Sequence, residues 1–345
     1  MQTGVRLGIL IGGPSPEYEV SRASAENMLL AVEQLGYTPK PILVTPDQSW
    51  YVYTDRASYL ANEYEEAFGV RDAVEKLPYL IDAALIAMHG VFGEDGGVQR
   101  LLDRAGLPYQ GSGVRASRLA FDKHASSQVL RRAGFAVPDY TVIERAKWVV
   151  ARPRIIRQAV AAYGLPAVVK PNASGSSIGV TIARDISELT EALELTSAQH
   201  GQVIVQRFVR GHEVTCGILE QNGEIFALPP TLIRPLNHHF FDYKAKYSAG
   251  ATEEITPAPF SEATNAAIGR TALGVHRALK LQGYSRVDMI LAQRRLWVLE
   301  ANTLPGMTNT SLLPQAAAAI GIDFAGLVSE LVQHALTRPE VVELS

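Results

Sequence analysis

Apolar positions follow two spacings along the chain, and the switches between them mark its elements. Residues 5–13 (VRLGILIGG) form a continuous apolar run ending in Gly-Gly, which predicts a buried strand and a turn. From about Val20 the spacing turns helical, with Met28, Leu29, Val32 and Leu35 as the apolar stripe. PILVTP (41–46) and ALIAMHG (84–90) read as further strands, 98–105 as a helix and LPYQ (107–110) as a short strand. This alternation predicts an α/β domain with a doubly wound parallel sheet over 1–112. Residues 117–133 then read as one helix, 133–143 as a turn and strand, and 154–163 as a helix. AVVK (167–170) is a strand that enters a Ser/Gly loop and returns through Val180, Thr181 and Ile182. A helix at 186–195 and a strand at 202–209 complete a small α+β unit, 113–206. The remainder, 207–345, reads as a larger sheet-based domain. It holds a strand at 213–220, a hairpin turn at Asn222-Gly223, a helix at 261–279, a hairpin at 284–302 and a terminal helix at 323–336. Residues 234–259 carry neither spacing, and long irregular segments in compact domains often serve as lids.

The hairpin at 284–302 carries the densest candidate chemistry. A turn centred near Arg294 sets Asp288 opposite Glu300 and Arg286 opposite Asn302. Side chains alternate along a strand, so these four share one face. Two carboxylates and an amide suit a hard divalent cation whose shell is completed by phosphates and water. The 171–179 loop offers backbone N–H groups, hydroxyls and small side chains to a phosphate, with Lys170 at its base. It is not a P-loop, since GxxxxGK[ST] occurs nowhere. GSGVRA (111–116) loosely matches a dinucleotide fingerprint, but no acidic residue stands near 131–136 to hold a ribose. Glu17, His89 and Glu94 lie in loops that follow strands, where α/β sheets place ligands. Thr310 or Ser311 falls at a helix start, which favours an anion. Lys123 reads as an ordinary helical charge. The adjacent His238 and His239 would point opposite ways in a strand, which argues against a histidine metal site.

Composition narrows the class. The chain has 345 residues and a net charge of −3, against the basic excess of nucleic-acid proteins. Its single cysteine, Cys216, cannot form an internal disulfide, which fits a reducing, cytoplasmic setting. No apolar run approaches the ~20 residues of a membrane span, and the first run reads as a strand rather than a signal peptide.

Seven stretches together resemble the D-alanine–D-alanine ligases, ATP-grasp enzymes of bacterial cell-wall synthesis. They are GGPSPEYEVS (12–21), MHGVFGEDG (88–96), YQGSGVRASRLAFDK (109–123), VVKPNASGSSIGV (168–180), FDYKAKYSAGATEE (241–254), RVDMIL (286–291) and LEANTLPGMTNTSLLP (299–314). The resemblance runs nearly the whole length and implies an ATP-grasp fold, a homodimer, and ATP with Mg²⁺, two ions or Mn²⁺ in their place. It implies Asp288, Glu300 and Asn302 as metal ligands. Lys123, Lys170 and Lys246 would surround the phosphates, with Ser174 to Ser177 as the phosphate loop. Gln206, Arg207, Val209 and Glu213 would line the nucleoside. Glu17 would hold the first D-alanine's ammonium beside His89, linked with Ser176 and Tyr247. Arg286 and the Gly306 N–H would form an oxyanion hole, and Ser311 and Leu312 would receive the second carboxylate. Gln206 departs from the Glu usual in the family, and Arg207 from the Lys common beside it. Tyr247 matches the dipeptide-forming members. The resemblance leaves two other readings: a same-fold ligase for D-lactate, D-serine or another amino acid, and a non-catalytic nucleotide-binding protein.

Overall fold

The loops that follow β1 (Arg6–Gly12) and β5 (Ala83–Ile86) open at the same end of one sheet, and this places Glu17 and His89 together. A computed structural model describes residues 4–175, 178–235 and 252–338. β1 is buried along almost its whole length and pairs in parallel with both β2 (Thr38–Val44) and β5. α1 (Tyr18–Gln34) covers it with Ala25, Met28, Leu29 and Val32, and the Ser21 hydroxyl accepts from the Gly12 N–H. The expected parallel sheet is extended by two antiparallel strands, β3 (Ser49–Tyr53) and β4 (Tyr64–Gly69), giving the order β4-β3-β2-β1-β5. With α2 (Arg56–Ala61) and α3 (Val70–Leu80) they fill a region where the sequence showed no elements. The reason is visible in YEEAFG, an edge strand exposed at four of six positions, which carries no apolar alternation. α4 (Gly97–Arg104) follows the 87–96 loop.

The helix expected over 117–133 is two helices, α5 (Val114–Phe121) and α6 (Lys123–Arg132). Asp122 breaks them with an extended backbone, and its carboxylate caps α6 by accepting from the Ala125 N–H at 2.9 Å. The break turns Lys123 inward, where it is 8% exposed, rather than out to solvent as expected. Ala116, Ala120 and Leu130 of these helices share a core with Val287, Met289 and Val298 of the large sheet.

The small unit has its own core. β6 (Tyr140–Glu144), β7 (Ala167–Pro171), β8 (Thr181–Ala183) and β9 (Gln202–Arg207) form an antiparallel sheet in the order β6-β9-β7-β8. α7 (Arg145–Tyr163) begins well before the expected 154 and kinks at Ala151, just ahead of Pro153. With α8 (Ile186–Gln199) it buries Trp148, Leu189 and Leu193 against the sheet.

The large sheet follows as β10 (His212–Gln221), β11 (Glu224–Ala227), β12 (Thr231–Pro235), β13 (Thr252–Ile255), β14 (Tyr284–Ala292) and β15 (Arg295–Asn302). Its order is β13-β12-β10-β14-β15, with β11 hairpinned on β10 through Asn222 and Gly223, both at positive φ. β13 pairs with β12 inside the stretch read as irregular, so part of 234–259 is regular after all; residues 236–251 lie outside the described set. α9 (Glu262–Ala278) packs on this sheet, and α10 (Leu312–Ala318) follows the 303–311 loop. The terminal helix, α11 (Phe324–Thr337), closes onto the first domain as well as its own. Leu327, Leu331 and Val332 join the core of Leu10, Leu29 and Ile86.

Candidate active site

The hairpin face forms by a route that the spacing alone did not show. The turn between β14 and β15 has two central residues, Gln293 and Arg294, both at positive φ. That turn pairs Met289 with Val298, and a regular ladder would continue by setting Leu299 opposite Asp288. Instead the register shifts there. Leu299 is the extra residue of a β-bulge, and Asp288 then faces Glu300 and Arg286 faces Asn302, as expected from the sequence. Without the bulge Glu300 and Asn302 would turn to the opposite face, with Val287 and Met289 in the core.

Asp288 is 6% exposed and heavily hydrogen-bonded. Its Oδ1 accepts from Thr215 Oγ1 at 2.7 Å and Arg286 Nε at 2.9 Å; its Oδ2 accepts from Arg286 Nη2 at 2.9 Å and Asn302 Nδ2 at 3.1 Å. Glu300 Oε2 lies 3.0 Å from Lys123 Nζ, which also donates to the Ser174 carbonyl at 2.6 Å. Lys170 stands behind them. Burial lowers its pKa to about 8; Glu300 opposes that shift and Lys123 adds to it.

These groups open into a cavity of about 740 Å³ between the small and large sheets. Lys123, Lys170, Ser174, Gln206, Arg207, Val209, Glu213, Asp288 and Glu300 all line it. Gln206 is 4% exposed and fixed within β9. Arg207 turns its guanidinium away, donating to the Ala162 carbonyl at 3.3 Å with Asp139 at 3.7 Å.

A second cavity, of about 100 Å³, gathers Glu17, His89, Arg286, Asn302, Gly306, Ser311 and Leu312. Ser311 is the N-cap of α10, and its Oγ accepts from the Thr308 N–H at 3.0 Å rather than from the helix. Glu17 and His89 are both nearly sealed from solvent, at 4% and 5% exposure. Burial lowers the His89 pKa despite the nearby Glu17 carboxylate, so the ring is neutral at pH 7. Glu94 lines the same cavity. Burial, and then Glu17, push its carboxyl well above the usual range, although the Gly90 N–H donates to it at 2.8 Å. Gly175 of the phosphate loop comes so near that a Cβ there would lie 2.5 Å from Glu17 Oε2. A third, small cavity, lined by Glu94, Lys123, Ser174, Gly175, Glu300 and Asn302, joins the two.

Thus every candidate site residue among the described ones falls in one of two adjoining cavities. Ser176, Ser177, Lys246 and Tyr247 lie outside the described residues. Sequence reasoning passed over Glu254 on β13, which lines the second cavity; its pKa is raised by burial, and it accepts from Gln315 Nε2 at 3.0 Å. It stands in the resembling stretch 241–254, which could have pointed to it. Thr215, which orients Asp288, carried no signal. Among the described residues no cluster of three or more His, Cys, Asp or Glu side chains suits a metal, so any cation here rests on two carboxylates and an amide.

Residues 6–112 match the family description "D-ala D-ala ligase N-terminus", and residues 129–333 match "D-ala D-ala ligase C-terminus". The D-alanine--D-alanine ligase of Nitratidesulfovibrio vulgaris (strain DP4) is 41% identical over 334 residues, 96% of this chain and 99% of that one. That of Synechococcus sp. (strain JA-3-3Ab) is 39% identical over 335 residues, 97% of this chain and 94% of that one. Among solved structures, the D-Ala:D-Ser ligase of Enterococcus faecalis superposes with a TM-score of 0.82 at 28% identity, covering 96% of this chain and 99% of that one. The Bacillus anthracis D-alanine--D-alanine ligase, solved with ATP, gives a TM-score of 0.75 at 30% identity over 96% of this chain and 98% of its own. With both halves of one family matched in order and relatives aligned nearly end to end, the chain belongs to the D-alanine–D-alanine ligases.

Proposed function

We propose that this chain joins two D-alanine molecules into D-alanyl-D-alanine with ATP, through an acyl phosphate, for peptidoglycan synthesis. The observation that carries this reading is the adjacency of the two cavities. One is large and has lysines at the end where it meets the hairpin; the other is small, and a third cavity between them shares Gly175 and Glu300 with the first and Glu94 and Asn302 with the second. ATP in the first cavity would turn its γ-phosphate toward an amino acid in the second.

In the proposed mechanism Glu17 holds the ammonium of the first D-alanine, and a carboxylate oxygen of that D-alanine attacks the γ-phosphorus, releasing ADP. Lys123 and Lys170 neutralise charge on the transferring group. Asp288, Glu300 and Asn302 fit Mg²⁺, two ions in this reading, because so few protein ligands suit a cation that takes most of its shell from phosphates and water. When bound, the metal screens the phosphate charge. The second D-alanine, with its carboxylate at Ser311 and Leu312, attacks the acyl carbon through its free amine. Its proton leaves, and inorganic phosphate departs with the C–O bond electrons. Arg286 and the Gly306 N–H stabilise the tetrahedral oxyanion, a contact of the kind that contributes roughly 3–4 kcal/mol. Burial of the pocket keeps water from the acyl phosphate. The family resemblance adds Lys246 to the phosphate cations and links Ser176 and Tyr247 with Glu17; all three lie outside the described residues.

The reading also includes a homodimer in the cytoplasm, which sedimentation and fractionation would check. Among the described residues no helix is long and apolar enough to cross a membrane. The test of the reaction is product mass from ATP, Mg²⁺ and a panel of D-alanine, D-serine and D-lactate. D-Alanyl-D-alanine as the main product is expected. A mixed product with D-serine would move the assignment to the specificity of the Enterococcus relative, and no product would reject ligation.

A further inference from the structure

The loop that carries Gly306 is held by side chains from another domain. The Leu304 carbonyl lies 3.1 Å from His89 Nδ1. Met307 is fixed at both its N–H and its carbonyl. Its N–H donates to Ser24 Oγ at 3.3 Å, and its carbonyl accepts from Asn27 Nδ2 at 3.4 Å. Between them stand only Pro305, whose ring fixes φ, and Gly306.

The pins form a chain with a defined proton order. A carbonyl can only accept, so His89 Nδ1 carries the hydrogen. The neutral ring then presents Nε2 as an acceptor, and the Ser24 hydroxyl donates to it at 3.1 Å. The same Ser24 oxygen accepts from Met307. Ser24 is fully buried on α1, one helical turn from Asn27, so both reach the loop from the same face. A hydroxyl placed merely to satisfy itself inside a helix would bond back to its own helix. Ser24 instead links His89, in the loop after β5, to a backbone amide more than two hundred residues away.

We propose that Ser24, His89 and Asn27 are positioning residues that hold the Leu304–Met307 loop, and with it the Gly306 N–H, at the reacting carbonyl. The role of His89 is therefore to orient the loop, with contact to the ammonium secondary. The proposal rests on the assignment of Gly306 to the oxyanion. It deepens that assignment by naming what aims the amide.

The variant Ser24→Ala tests it, with Asn27→Ala as a second, less buried probe of the same residue, Met307. A donor displaced by a fraction of an ångström loses most of its advantage, so kcat falls about 10- to 100-fold. KM for ATP and for the first D-alanine stays within about threefold, since neither site loses a binding group. The acyl phosphate waits longer and is lost to water, so ADP released per dipeptide rises above parity. Amide hydrogen exchange in the 304–308 segment quickens. Ser24→Thr, which keeps the hydroxyl, restores most of kcat. Unchanged exchange in both alanine variants overturns the pins themselves. Faster exchange with unchanged kcat and coupling leaves the pins but overturns the assignment of Gly306. A rise in KM for D-alanine at full kcat overturns positioning in favour of a binding role.

Discussion

Replacing Lys123 with methionine removes a charge while keeping most of the side chain's length. Its Nζ lies 3.0 Å from Glu300 Oε2, with the two side chains only 9% and 19% exposed. Coulomb's law at that distance, with an effective dielectric of about 20, gives about 5–6 kcal/mol of attraction. Desolvation of both ions offsets much of this. The measurable quantity is the penalty for leaving Glu300 without its cation, typically ~3–5 kcal/mol for a buried pair. Lys170 still attracts Glu300 from behind, so we expect a loss of about 2–3 kcal/mol in unfolding free energy. Urea denaturation of wild type, Lys123→Met, Glu300→Gln and the double variant closes the cycle. Once Glu300 is neutral, Lys123→Met should cost at least about 1 kcal/mol less, as expected for residues in direct contact. The double variant stays inactive, because both the proposed phosphate cation and the proposed metal ligand are gone. A single variant within about 0.5 kcal/mol of wild type, or strict additivity, refutes the ion pair as a structural element.

Two further outcomes follow from close approach and from burial. Gly175→Ala places a Cβ 2.5 Å from Glu17 Oε2, so either the loop or the Glu17 carboxylate must shift. kcat/KM for D-alanine should fall by about tenfold or more while ATP affinity changes little, and a wild-type value would show that Gly175 does not close on Glu17. Lys170 has a folded-state pKa of about 8, below the 10.5 of an ordinary lysine. The unfolded chain therefore binds the extra proton between those values, and this group's contribution to stability rises with pH across that window. In the proposed mechanism ATP needs this cation, so kcat/KM for ATP should decline above pH of about 8 by up to tenfold per unit. Lys170→Arg should flatten the decline, and a decline identical in both proteins would assign it to another group.

The sequence exposed the elements whose pattern is local. β1, β5 and the 284–302 hairpin read correctly because their apolar runs and turn residues suffice. The pairing of Asp288 with Glu300 was right, but it depends on a bulge at Leu299 that no pattern announces. An apolar residue in a strand looks the same whether or not it is paired. Asp122 hid in the same way, since the amphipathic spacing of 117–133 carries through a break that only the cap geometry reveals. Spacing alone therefore read Lys123 as a solvated charge, and only the resemblance set it among the phosphate cations. Its burial depends on Glu300, far along the chain, and such long-range contacts leave no periodicity. Thr215, Ser24 and Asn27 act through partners equally remote. The roles of Glu17, Gly306 and Ser311 came from the family resemblance rather than from spacing, and the structure contributes their convergence on one cavity.

The partition of the cores explains how such a divided site can work. Leu304, Leu313 and the α11 residues Leu327 and Leu331 share one core with Leu10 and Ile86. The first domain, the 303–311 loop and the helices α10 and α11 are thus one packed body. Glu17, His89, Arg286 and Gly306 therefore keep their mutual geometry as firmly as any close-packed interior does. The small sheet has a core of its own, built on Trp148, Leu189 and Val205. Polar contacts around Asn172 help tie it to the rest. Its carbonyl accepts from the Lys123 N–H, its Oδ1 accepts from the His124 N–H, and its Nδ2 donates to Asp122. Hydrogen bonds that water can replace hold less firmly than a shared apolar core. The small sheet is therefore the part that can yield. It carries Lys170, Gly175 and Gln206, so its displacement would open the large cavity and lift Gly175 from Glu17 without disturbing the 303–311 loop. An enzyme that must exchange a large nucleotide yet aim one amide within a fraction of an ångström needs these two rigidities kept apart.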